Sequence, residues 1–258
     1  MSAGPQLITS AANPLVKDLR QLAQESTAYR KLGRIWLEGD HLCGAALKRG
    51  VRPQLAVFPQ SLWDEQSFRF SGEAERDVIL PDALFATVSS LESPGHVGFV
   101  IEAPQRPPID PQAPSVVLDR LQDPGNVGSI LRSAAAFGFT QVIAMKGTAA
   151  LWSAKVLRAG MGAHFALSLV EAVETHELDT LQVALITTSS HEGQLLQEAQ
   201  LPWPCAWLLG HEGQGVDDNL AWRAKLSVRI AQPGGEESLN VAAAAAICLH
   251  ASATAGRG

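Results

Sequence analysis

Cysteine is scarce in this chain. Three are present, Cys43, Cys205 and Cys248, far apart along 258 residues. No pair has metal-ligand spacing, and an odd number does not suggest a disulfide framework. No metal site is expected, and a reducing cytoplasm fits. Long apolar runs are also missing. None approaches the roughly 20 residues needed to cross a bilayer, so no membrane partner is expected. The opening stretch MSAGPQLITSAANP lacks a positive segment followed by an apolar one, which predicts no secretory signal. Two familiar phosphate motifs are absent as well. No Gly-Lys-Ser/Thr marks a P-loop, and no G-x-G-x-x-G supports a Rossmann-type oxidoreductase. Basic residues are the last shortage. Twenty Lys and Arg stand against 26 Asp and Glu, a net charge of −6. That balance argues mildly against a nucleic-acid partner, because phosphate binding is driven by basic side chains.

What is present shifts the balance. Hydrophobic residues make up 46% of the chain and charged ones 18%, so a real core is expected. Charge is also uneven. From Asn13 to Arg52 there are eight basic residues (Lys17, Arg20, Arg30, Lys31, Arg34, Lys48, Arg49, Arg52) against four acidic ones (Asp18, Glu25, Glu38, Asp40), a local charge of +4. A solvated helix face is the ordinary reading of such a run. In an otherwise acidic chain the local excess favours RNA contact instead, with Lys17, Arg30, Lys31 and Arg34 as the candidates.

The stretch from Ala103 to Pro114 holds five prolines. Proline removes a donor and fixes φ, so this stretch is neither helix nor central strand and reads as a semi-rigid linker over 104–114. Before it, helix and strand alternate: a helix over 14–24, a strand at 35–39, a helix over 41–48, an extended piece at 54–58, and a turn then a strand within 91–101. After it, short apolar strands at 115–119, 140–145, 183–188, 205–209 and 226–230 are interleaved with helices at 126–137, 153–160 and 239–251. That alternation predicts a mostly parallel sheet covered on both faces.

Each of three segments of the second part is a polar, glycine-bearing knot or lies beside one, near the end of an apolar strand-like run, where open α/β sheets place their ligand loops. They are Asp123-Pro-Gly-Asn-Val-Gly-Ser-Ile-Leu-Arg-Ser-Ala-Ala-Ala-Phe-Gly138, Leu208-Leu-Gly-His-Glu-Gly-Gln-Gly-Val216 and Glu237-Ser-Leu-Asn-Val-Ala242. In the first, Pro-Gly leads into a helix with Asn126 at a plausible N-cap. Arg132 falls in an otherwise uncharged stretch and needs an anionic partner, a ligand or an outlet to solvent. In the second, glycines permit close backbone approach to a ligand. Glu212, the one carboxylate there, accepts hydrogen bonds from a ligand or from Arg132, or merely steadies the loop. In the third, Ser238 and Asn240 flank Leu239 at a helix start, where both are also ordinary caps.

Together these segments resemble the three signature motifs of the SpoU/TrmH family of S-adenosylmethionine-dependent RNA 2′-O-ribose methyltransferases. The likeness covers most of residues 115–252. It implies an α/β fold whose C-terminal domain, 115–258, is a trefoil-knotted parallel sheet with helices on both faces. Tyr29–Gly39 and Pro94–Phe99 resemble the small ribosomal-protein-like α/β domain that precedes it, so 1–103 is expected to bind the RNA substrate. The resemblance implies Asn126, Arg132, Glu212, Ser238 and Asn240 as catalytic residues. It implies Thr187, Leu209, Gly210, Gly213, Ile230 and Leu239 as contacts for S-adenosylmethionine, and a homodimer with residues of two chains near each site. Ribosomal RNA is favoured over transfer RNA. Two departures stand out: the family usually has Pro-Met after Ile230, where this chain has Ala231-Gln232, and Ser where this chain has Ala242. The rival from another class is a non-catalytic RNA-binding or ribosome-assembly factor on the same fold.

Overall fold

The structure is a computed structural model that describes residues 4–64, 69–91, 93, 95–189, 193–234 and 239–255. The chain forms two compact units. One comprises Met1–Gln105 with Trp152–Phe165, the other Arg106–Leu151 with Ala166–Gly258. Sequence order alone assigns Trp152–Phe165 to the second part, whereas its contacts group it with the first.

The first unit contains β1 (Gln6–Leu7), α1 (Pro14–Gln24), α2 (Ala28–Leu32), β2 (Arg34–Glu38), α3 (Asp40–Lys48), β3 (Leu55–Pro59), α4 (Gln60–Asp64), β4 (Arg76–Leu80), α5 (Asp82–Ala86) and β5 (Gly98–Glu102). Helix α1 starts where the sequence directs. Pro14 takes the first turn, and the Asn13 side chain accepts the Leu15 N–H at 2.9 Å. It buries Val16, Leu19 and Leu22, one face of a 3.6-residue period. The strands form one mixed sheet in the order β1-β4-β3-β5-β2. Strands β1, β4 and β3 are parallel, and β5 runs antiparallel to both β3 and β2. Gly98 is dictated by Trp36 across the β2–β5 pair, because a Cβ at 98 would lie 1.8 Å from the indole ring. One further helix, over Ala154–Gly160, belongs here too and packs against α1 and β2.

The second unit contains β6 (Ser115–Leu118), α6 (Pro124–Ala136), β7 (Gln141–Met145), β8 (Ser168–Val173), β9 (Ala184–Thr188), β10 (Gln194–Leu195), β11 (Cys205–Leu209), α7 (Asp218–Ala221), β12 (Leu226–Arg229) and α8 (Val241–Ala255). Its seven strands lie in the order β10-β12-β9-β11-β6-β7-β8, and every adjacent pair is parallel. Every residue of β6, β7 and β11 is buried, so both faces of the sheet centre are covered, as the apolar runs predicted. Strand β8 was not expected from the sequence. Ala172 has φ 54°, and the β7–β8 register shifts between Ile143 and Met145, which breaks the side-chain alternation.

The proline-bearing stretch is held by its polar backbone. The Pro111 carbonyl accepts the N–H groups of Gln182 and Val183, and the buried Gln141 amide exchanges hydrogen bonds with Asp110. Helix α8 packs against α6 and β11. Its Ser252 hydroxyl accepts the Trp207 indole N–H at 2.9 Å, with both residues wholly buried. All three cysteines are buried thiols, and burial pushes Cys205 up to about 11 and Cys248 up to about 12.

Candidate functional site

Strands β6, β11, β9 and β12 are neighbours, and the three signature segments follow the ends of β6, β11 and β12. The parallel order therefore brings loops far apart in sequence to one edge of the sheet.

Helix α6 begins earlier than expected. Its cap is Asp123, whose carboxylate accepts the Asn126 N–H at 2.7 Å, and Pro124 takes the first helical position. An acidic cap followed by proline is the stronger start signal, because the carboxylate also suits the helix dipole. Asn126 is thus not the cap, and its side chain is released for other bonds. Its Nδ2 donates to Glu212 Oε1 at 3.2 Å, and its Oδ1 accepts from Asn240 Nδ2 at 3.0 Å. Asn240 does cap α8: its Oδ1 accepts the N–H groups of Ala242 and Ala243 at 2.9 and 3.3 Å. That cap leaves only the Asn240 amide nitrogen to face Asn126, which orients the Asn126 amide in turn. One residue from each signature segment is joined in this chain of bonds.

Glu212 is the terminal acceptor. The backbone N–H groups of Gln122 and Asp123 also point to its carboxylate, at 3.4 and 3.3 Å. Partial burial works to raise its pKa. Hydrogen bonds from its own backbone N–H, from Asn126, and from Asp123 and Gln122 outweigh that and hold the carboxyl below the usual glutamate range.

The loop carrying Glu212 is folded on itself. His211 and Gly215 exchange two backbone hydrogen bonds, at 3.0 and 2.9 Å. A Cβ at Gly210 would lie 2.2 Å from the backbone of Gly215 and Val216, so this glycine serves the loop's own closure. His211 Nδ1 accepts the N–H groups of Gly213 and Gln214, which gives this imidazole a structural task. Asp119, at the end of β6, is 2% exposed and holds the far side of the loop. It accepts the Asp217 N–H at 2.8 Å and a two-pronged contact from Arg120 at 2.8 and 2.9 Å. Asp119 and Arg120 were not singled out in the sequence. A buried carboxylate at the end of an apolar strand was the available signal.

These loops surround a cavity of about 710 Å³. Of the expected cofactor contacts, Gly210, Gly213, Ile230 and Leu239 line it, together with Glu212 and Asn240. Thr187 and Leu209 are not in the lining. Leu209 is 1% exposed and its carbonyl accepts the Asp119 N–H at 2.8 Å. Thr187 is 7% exposed, and its hydroxyl has no hydrogen-bond partner among the described residues. Thr188, the last residue of β9, and Ser189 after it line the cavity instead and were overlooked. Ser238 lies outside the described residues. Arg132 does not join the network. It is exposed on α6, on the stripe that also carries Gly125, Ser129 and Ala136, and it makes no ion pair among the described residues. In the first unit, Lys17, Arg30 and Lys31 are exposed and Arg34 is half-buried.

The cavity has the size of a small-molecule site, and its donor set is polar and uncharged apart from Glu212. S-adenosylmethionine, with an adenine, a ribose and an amino-acid tail, fits in volume.

Comparison with known proteins agrees with this geometry. Residues 113–250 match the SpoU rRNA Methylase family. The chain is 30% identical over 250 residues to the 23S rRNA (guanosine(2553)-2′-O)-methyltransferase RlmP of Bacillus subtilis, covering 94% of this chain and 97% of that protein. It is 27% identical over 237 residues to the 23S rRNA (uridine(2479)-2′-O)-methyltransferase of Streptomyces viridochromogenes, covering 80% of this chain and 82% of that one. Among solved structures, an AdoMet-bound rRNA methyltransferase from Sinorhizobium meliloti superposes with a TM-score of 0.81 at 29% identity, over 96% of this chain and 97% of that one.

Proposed function

This chain belongs to the SpoU rRNA methylase family, and from that premise we propose that it methylates a ribose 2′-hydroxyl of ribosomal RNA with S-adenosylmethionine. The observation that carries the proposal is the bonded series Glu212–Asn126–Asn240 on the rim of the cavity. It supplies a fixed, pre-oriented polar edge beside a pocket of cofactor size.

When bound, S-adenosylmethionine supplies an electrophilic methyl group on a sulfonium. The chain's own residues do the rest. Gly210, Gly213, Ile230 and Leu239 shape the pocket. Asn126 is held on both sides, so it loses little entropy when it positions the ribose. Arg132 binds the ribose–phosphate and stabilises charge that develops on the 2′-oxygen. A guanidinium keeps its proton far above neutrality, so an orienting and electrostatic role suits it better than that of a base. Ser238 is assigned to the same site by its place in the third motif.

The working form in this reading is a homodimer. Helices α6 and α8 pack together. Their exposed positions, Gly125, Ser129, Arg132 and Ala136 on one and Ala243, Ile247 and His250 on the other, include one permanent charge. Such a small, nearly uncharged face suits self-association, and it would bring Arg132 to a second chain. The all-parallel order and the return of α8 onto α6 and β11 support threading of the C-terminal unit as a trefoil knot. Exposed Lys17, Arg30 and Lys31 support RNA contact by the 1–103 domain, joined through the 104–114 linker. A cytoplasmic site of action completes the reading.

Calorimetry with S-adenosylmethionine, followed by transfer of labelled methyl to ribosomal RNA and mapping of 2′-O-methyl sites, tests it. Binding and transfer together are expected. Binding without transfer to any RNA would leave a non-catalytic factor, and absence of binding would sink the reading altogether.

A further inference from the structure

Gln232 lies on the segment after β12 and is among the residues that line the cavity with Ile230, Leu239 and Ala244. Its Oε1 is buried and has no hydrogen-bond partner among the described residues. A buried carbonyl oxygen without a donor is costly, and a thioether at this place would carry no such cost. An orphaned acceptor beside a ligand-sized cavity calls for a donor on the ligand.

We infer that Gln232 recognises the adenine edge of the cofactor through its carboxamide. The inference rests on the methyltransferase reading. S-adenosylmethionine offers three kinds of donor: an ammonium, ribose hydroxyls and the adenine 6-amino group. The ammonium is cationic and is matched by a carboxylate. A carboxamide is matched by a group that donates and accepts side by side. Adenine does this along one edge, where the 6-amino group donates to the amide oxygen and N7 accepts from the amide nitrogen. Apolar Ile230, Leu239, Val241 and Ala244 line the same cavity and suit the faces of a base.

Calorimetry on the full chain tests this with two ligands, S-adenosylhomocysteine and S-inosylhomocysteine, whose 6-oxo group replaces the donor by an acceptor. The wild type should prefer the adenosyl ligand by about ten- to a hundredfold, the range of a two-point amide–adenine contact. Gln232→Met should lower adenosyl affinity by about tenfold and shrink the preference by the same factor, while inosyl affinity changes little. The ligand-free melting temperature should stay level or rise, because the amide oxygen has no partner to lose. If Gln232→Met does not fold, Gln232→Leu serves in its place. An unchanged preference in a folded variant overturns the role of Gln232 and leaves the methyltransferase reading standing. If the wild type binds neither ligand, that reading fails and this one falls with it.

Discussion

Asn126 and Asn240, 114 positions apart, share a hydrogen bond of 3.0 Å from the Asn240 amide nitrogen to the Asn126 amide oxygen. Because Asn240 is committed as the cap of α8, and Asn126 to Glu212 on its other side, neither amide can turn without breaking a second bond. The site is therefore rigid before any ligand arrives.

Replacing the middle member should collapse this arrangement. Asn126→Asp puts a second carboxylate against Glu212, and like charges at this distance repel. Single-turnover methyl transfer should fall by about a hundredfold or more, the scale set by losing a positioned polar group, while cofactor affinity changes less. A variant with normal turnover would remove Asn126 from the site.

Arg132 is exposed and makes no ion pair among the described residues, so it has little structural work to lose. Arg132→Ala should leave the melting temperature within about 1 °C or 2 °C of the wild type, as surface substitutions do, and abolish most transfer. Arg132→Lys should also be poor, because an ammonium lacks the planar fork of donors. A melt beside a single-turnover assay separates chemistry from folding. Full activity in the alanine variant would sink the catalytic assignment.

Glu212 makes stability depend on acid. Its folded-state pKa lies below the ordinary value of about 4.3. Its contribution is complete above that ordinary value and is lost as pH falls through the lower, folded one. Asn126→Ala removes one donor and should raise the Glu212 pKa towards normal, shrinking this acid-sensitive component. Carboxyl titration by NMR reads the shift directly, and melts from pH 6 to 3 read its consequence. An unmoved Glu212 titration would deny the Asn126 bond.

The Trp207–Ser252 bond anchors α8 to the buried face of β11. Ser252→Ala strands an indole N–H in a dry core, a loss of about 1–3 kcal/mol. Urea unfolding should show that loss. Cofactor affinity should persist in the folded fraction.

RNA binding should weaken with added salt if the first unit supplies phosphate contacts. Each of Lys17→Ala and Lys31→Ala should lower the log–log salt slope by about one. Identical slopes in wild type and variants would place the RNA elsewhere.

Much of this was written along the chain. The runs at 115–118, 141–145 and 205–209 are buried strands because they are almost wholly apolar, and the polar Ser115 and Gln141 among them find hydrogen-bond partners. Asn13-Pro14 starts a helix by local chemistry alone. The three polar segments were visible because glycine, amide and carboxylate crowd in or beside them near the ends of apolar runs. Other features depend on what lies nearby in space. Whether Asn126 caps its helix or reaches across the site depends on Asp123 taking the cap first, and on Glu212 and Asn240 arriving from other strands. Gly210 reads as a ligand cradle until the backbone of Gly215 and Val216 is seen against it. Strand β8 was hidden by its own bulge. The Trp152–Phe165 segment follows its contacts and not its place in the chain. Local propensity is settled within a few residues, whereas partners hundreds of atoms away along the backbone are chosen only when the sheet orders its strands.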